Sequence, residues 1–182
     1  MKLTRLVLRV LIGGLFIGHG TQKLFGWFGG HGPEGTGGFF ESLGLKPGKR
    51  NALAAGVAEA GGGALLATGV ALPVAGAAIT GTMTTAIRHV HAEKGPWTTQ
   101  GGWEYNAVLI AATLSIVEEE CGLGWALAAG AAGAAGSFAV SKLAAERAQV
   151  EEFEPVPFHG TEEPETAVGQ PTGGQTTEIT QR

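Results

Sequence analysis

The chain contains no aspartate, one cysteine and few charges for its length: 15% of its 182 residues are charged, against roughly 25% in typical soluble domains. The single cysteine, Cys121, excludes an intramolecular disulfide and any metal site built from several thiolates. Its apolar surroundings point to an inert thiol. No dense run of Lys and Arg occurs, which argues against nucleic acid as a partner. There is no flavin motif, no Cys pair, no evident metal set and no arrangement of nucleophile and base, so an autonomous enzyme is the weakest functional reading.

The charges that are present sit unevenly. Residues 151–182 hold seven Glu and one Arg, and residues 1–150 hold nine Glu against eleven Lys and Arg. The net charge of -4 therefore belongs to the tail, and the body is more apolar than the mean hydropathy of +0.16 suggests. With Pro155, Pro157, Pro164 and Pro171 among Glu, Thr and Gly, the segment 149–182 lacks the apolar content to fold and is expected to be disordered.

Five long apolar runs fill the rest. Residues 6–25 form a run of about twenty, and at 1.5 Å per residue such a helix spans about 30 Å, the thickness of a bilayer's hydrocarbon core. Lys2, Arg5 and Arg9 resemble the basic region of a signal peptide, but no A-x-A-like site follows and the segment is read as a retained first helix. Residues 51–71 and a run from Pro73 to about His91 make an antiparallel hairpin, with Pro73 suited to a first helical turn. A fourth run begins at Trp103 and stops at Glu118-Glu119-Glu120; a fifth covers residues 123–140.

A soluble helical bundle should carry a polar face at the helical period, yet residues 52–87 contain one charge, Glu59. Glycines within the runs would each cost a water-exposed helix about 1 kcal/mol, whereas in a membrane they let helices approach closely. Gly14-x-x-x-Gly18, Gly56-x-x-x-Ala60-x-x-x-Ala64 and Gly76-x-x-x-Thr80-x-x-x-Thr84 have that spacing. Trp27, Phe28, Trp97, Trp103 and Tyr105 lie near run ends, as interfacial aromatics do. The reading is an all-α integral membrane protein in contact with the lipid bilayer: a transmembrane four-helix core over residues 1–122, an additional hydrophobic helix over 123–148, and the acidic tail. With an even number of crossings the Lys and Arg residues divide without favouring either orientation.

HGTQKLFGWFGG at the end of helix one, GTGGFFESLGL, AEAGGGALLATG, a Met-bearing third helix ending IRHVHAEKG, and GGWEYN occur in that order. Over residues 5–117 the chain resembles the DoxX family of small bacterial membrane proteins, described as four-helix bundles. The resemblance implies a multi-pass protein of the bacterial cell membrane. It also implies association with quinone and with redox-protein partner subunits, since the family takes its name from a quinone-reducing thiosulfate oxidoreductase. Many members continue after helix four with a GPG-like turn and an Asp-bearing segment. Here that stretch reads VEEECGLGWALAAG, so no role attached to the Asp carries over.

Polar residues inside membrane runs are expensive and mark candidate sites. His19, Gln22 and Lys23 stand at i, i+3 and i+4 and share a helix face, either as a helix exit with Lys23 reaching the interface or as a cluster for a quinone carbonyl or an anionic substrate. Glu59, mid-helix, needs a partner; Arg88 is the first choice and Lys23 the second. It reads equally as a structural salt bridge or as a proton-handling carboxylate. Arg88 and His91 share a face, with His89 pointing elsewhere, and a haem or metal site would require His19 to face His89 or His91. Glu104 and Tyr105 begin helix four. In an up-and-down bundle His19, Lys23, Arg88, His91 and Glu104 meet at one end, with the glycine-rich loop 26–38 across the mouth. Two functions compete on this reading: a quinone-associated or accessory subunit of a membrane oxidoreductase, and a scaffold or small-solute carrier whose polar residues fix helix packing.

Overall fold

The structure, a computed structural model, describes residues 3–153; the expected disordered tail falls outside it from residue 154 onward. Among the described residues 88% are helical and none lies in a strand. Six helices follow in order: α1 (Leu3–Phe25), α2 (Gly32–Ser42), α3 (Gly48–Thr68), α4 (Leu72–Ala86), α5 (Glu104–Cys121) and α6 (Leu123–Phe153). A π-helical turn, Ile87–His91, extends α4. The 31-residue α6 continues through residues 149–153, drawn above as the start of the tail.

Close backbone contact organises the bundle. α1 and α3 run antiparallel: a Cβ added at Gly13 would stand 2.5 Å from the Gly63 carbonyl oxygen, and one at Gly20 would stand 2.4 Å from the Ala60 nitrogen. The seam therefore uses Gly13 and Gly20 against Gly56, Ala60 and Gly63. The expected Gly14-x-x-x-Gly18 pair faces outward, with nothing within 4 Å of either added Cβ. Both pairs are compatible with helical spacing, and only the rotation of α1 against α3 chooses between them.

A second seam joins α4 to α6, which run parallel. Gly133 packs on Ala77, Thr80 and Gly81. One turn on, Thr85 Oγ1 donates to Ser137 Oγ (3.0 Å), and a further turn on His89 pairs with Ser141, each at a constant offset of 52 residues. α5 returns the chain between them, separated from α6 by Gly122 alone (φ 93°).

The end of α3 shows why these residues stop there. Gly69, at φ 77°, donates to Leu66 O (3.2 Å) and Val70 donates to Leu65 O (3.1 Å), the paired bonds of a Schellman cap. Arg9, only 6% exposed, lies across the same turn and donates to Leu66 O (3.2 Å) and Ala67 O (3.3 Å). A guanidinium at a helix C-terminus satisfies carbonyls that lack intrahelical partners and opposes the negative end of the dipole. Arg9 is thus a buried cap for α3.

The expected loop 26–38 is partly helical, because α2 starts at Gly32. Pro33 sits in its first turn, where a fixed φ is favourable, and Gly37 packs directly on the Gly48–Lys49 backbone of α3.

A belt of apolar side chains faces outward. Val10 and Leu11 on α1, Val57 on α3, Val74 on α4, Val108 on α5, and Leu127 and Phe138 on α6 are all more than half exposed. Monomeric soluble proteins rarely show apolar patches that extend so far. Two helices, α1 and Leu123–Val150 of α6, are long and apolar enough to cross a membrane by length and composition. The runs of α3, α4 and α5 do not meet that combined measure. α4 has 15 residues before its π turn, α3 is dominated by Ala and Gly, and α5 carries Glu118, Glu119 and Glu120 at its end.

Candidate functional site

A cavity of about 650 Å³ lies between the helices and opens to the surface, where exposed His19, Phe39 and Tyr105 line it; residues of all six helices and of the turn between α4 and α5 contribute to its walls. Its walls are mostly apolar: Phe16 of α1, Phe39 and Phe40 of α2, Ala55 and Ala58 of α3, Ala77 and Met83 of α4, Leu109 of α5, and Gly133 and Gly136 of α6. Polar groups also reach it: His19, Lys23, Glu59, His89, His91 and Asn106.

Glu59 is 4% exposed, and its Oε2 accepts from Lys23 Nζ at 2.6 Å. The favoured partner of the sequence reading, Arg88, is therefore corrected to Lys23. Arg88 instead points at α6, where its Nη1 donates to Ser137 O (3.2 Å), Ser137 Oγ (3.3 Å) and Ser141 Oγ (3.0 Å). Its guanidinium carbon stands 3.9 Å above the Phe138 ring. The cause is position: Arg88 lies on the π turn beside the α4–α6 seam, while Lys23 ends the helix packed against α3.

Gln22 stays outside the cavity lining and orients His19. Its Nε2 donates to Phe28 O (3.2 Å), which leaves Oε1 to accept from His19 Nδ1 (3.1 Å). In the neutral ring His19 Nε2 is then a free acceptor. His91 Nδ1 donates to Gly101 O (2.6 Å), which frees its Nε2 in the same way. His89, expected to point away, lines the cavity. The Ser141 hydroxyl donates to Ser137 O (3.0 Å), so His89 Nε2 is the donor to Ser141 Oγ (2.7 Å). Glu104 is absent from the lining; its Oε1 accepts from the Thr98 backbone N–H (2.8 Å) and ties down the turn before α5.

Of the seven residues expected to bind substrate, the cavity gathers His19, Lys23, Glu59 and His91, with Gln22 one bond behind. Arg88 and Glu104 serve the walls. His89, Asn106 and Ser137 were missed as site residues. A Ser137-x-x-x-Ser141 pair in a run of Ala and Gly was the available signal for the last, since two hydroxyls four apart share a face. Among the described residues no group of three His, Cys, Asp or Glu side chains is placed to hold a metal.

This arrangement places an ammonium, a carboxylate and two imidazole acceptors on apolar walls. That chemistry suits a largely apolar ligand bearing a carbonyl or hydroxyl. The family model for DoxX matches residues 4–92, from the start of α1 to the end of the π turn. Residues 4–92 form a DoxX domain. That span holds His19, Lys23, Glu59, Arg88, His89 and His91, and α5 and α6 follow it in the chain. No curated protein and no solved structure matches the chain. The DoxX domain and the apolar helices together point to a membrane protein.

Proposed function

We propose that the protein is a multi-pass component of a bacterial cell membrane whose central cavity binds a quinone, and that it serves as an accessory subunit of a membrane oxidoreductase. The supporting observation is the cavity of about 650 Å³, well within the roughly 300–1,000 Å³ of ligand sites, with Lys23, Glu59, His19 and His91 set into apolar walls. A quinone supplies electron-carrying chemistry when bound. The protein's own part is to hold it: Lys23 can donate to a carbonyl oxygen, and His19 Nε2 and His91 Nε2 can accept from the hydroxyls of the reduced form. Redox-protein partners would supply the other redox centre.

The test is purification in mild detergent, a visible spectrum, and extraction of bound lipids for quinone, repeated with Glu59→Gln and His19→Ala. Quinone in the parent that is lost in either folded variant supports the reading. Its absence from well-folded parent protein overturns it.

The Lys23–Glu59 pair also joins α1 to α3, and this favours a second reading: a scaffold or small-solute carrier whose buried polar residues specify packing. On that reading both variants lower stability and neither changes what co-purifies.

A further inference from the structure

The two ends of the bundle differ in how they use their cations. At one end lie the N-terminus of α1 and the C-termini of α3 and α5. There Arg5 pairs with Glu119 (2.9 Å) and Glu120 (3.4 Å), and Arg9 is buried on the Leu66 and Ala67 carbonyls. Neither is available to an outside partner. At the other end, the parallel packing of α6 on α4 brings the last turns of α6 level with the turn after α4. Lys142 and Arg147 thus join Lys46, Lys49, Arg50 and Lys94; Lys49 pairs with Glu34 and Lys142 with Glu146, both at the surface, and all of these cations but the half-buried Lys46 are exposed. Exposed Phe25, Trp27, Phe28 and Trp97 surround the same end, and Trp125 marks the opposite one.

Taken with the membrane reading above, on which this rests, we propose that the loop-bearing end is a surface for anionic phospholipid headgroups and is the cytoplasmic end, the chain crossing the membrane five times with its N-terminus outside. Cytoplasmic loops carry the excess of Lys and Arg, and the anionic inner leaflet attracts basic segments beside helix ends. Eight of the eleven Lys and Arg residues of positions 1–150 sit at this end. The balanced division expected for an even number of crossings disappears once α6 carries its cations there. The end of the cavity at His19 and His91 then faces the cytoplasm.

The test uses the full chain in spheroplasts of a bacterial host, with Cys121→Ser as background and a membrane-impermeant maleimide as probe. Glu118→Cys should label in intact spheroplasts, and Arg50→Cys only after permeabilisation. The reverse pattern overturns the orientation and leaves the membrane reading standing, whereas labelling of both only after permeabilisation puts both ends inside the cell and overturns the orientation and the membrane reading together. Labelling of both in intact spheroplasts also overturns the five-crossing topology. Phosphatidylglycerol co-purifying with the parent should fall when Lys49, Arg50 and Lys94 are changed together to Gln. Unchanged retention overturns the lipid surface.

Discussion

The Lys23–Glu59 pair offers the sharpest perturbation. At 2.6 Å, and at an effective dielectric of about 20, the attraction between unit charges is about 6 kcal/mol. Desolvation of both groups works against it, and the Glu59 side chain is 6% exposed against 22% for Lys23. Removing one partner leaves the other charge without compensation, for an expected loss of about 3–5 kcal/mol. Lys23→Met should be the worse single change, because it strands the more deeply buried carboxylate; Glu59→Leu leaves an ammonium with some access to solvent. The double variant Lys23→Met/Glu59→Leu should recover most of that loss, since replacing both charges with apolar groups is often near neutral. The assay is reversible unfolding in mixed detergent micelles, run as a double-mutant cycle with co-purified quinone read on each variant. Strictly additive single losses would show that the groups do not interact and would refute the reasoning. A stable double variant that keeps any quinone found with the parent would remove the pair from ligand binding.

Three further outcomes are expected. Gly20→Ala should push α1 away from α3 and lower stability by about 2 kcal/mol or more through overpacking, while Gly18→Ala, with open space around its Cβ, should stay within about 1 kcal/mol of the parent; thermal melts of the two side by side check this. Arg9→Ala should cost about 1–3 kcal/mol by removing the side-chain donor to the Ala67 carbonyl and the second donor to Leu66 O, which keeps its bond from Gly69 N–H, and Arg9→Lys should restore only part, because a single ammonium cannot reproduce the planar fork. Ala71→Gly should raise the melting temperature. Ala71 holds φ 47°, a left-handed conformation that costs a non-glycine residue roughly 1–2 kcal/mol.

Much of the fold was legible in the one-dimensional record. Long apolar runs with a single interior charge require helices in a non-aqueous setting, and Pro73 in the first turn of α4 marked the hairpin. The meeting of His19, Lys23 and His91 at one end followed from alternating direction alone. α2 was not legible, because glycine-rich GPEGTGGFFES has weak helix propensity and holds its shape through contact with α3.

What the sequence by itself determined was composition-level and periodic: helices, their order, the apolar belt and the polar residues too costly to leave facing lipid. What only the tertiary structure decided was pairing. Which glycines form the seam depends on the rotation of one helix about its axis, which spacing leaves open by a residue. Whether Glu59 meets Lys23 or Arg88 depends on which helix packs against α3 at that depth. Arg9 became a cap, and Arg88 a tie to Ser137 and Ser141, only once α3 and α6 were in place. A helical repeat constrains the face a side chain shares, while its partner is chosen by the neighbour that packing brings within a few ångströms.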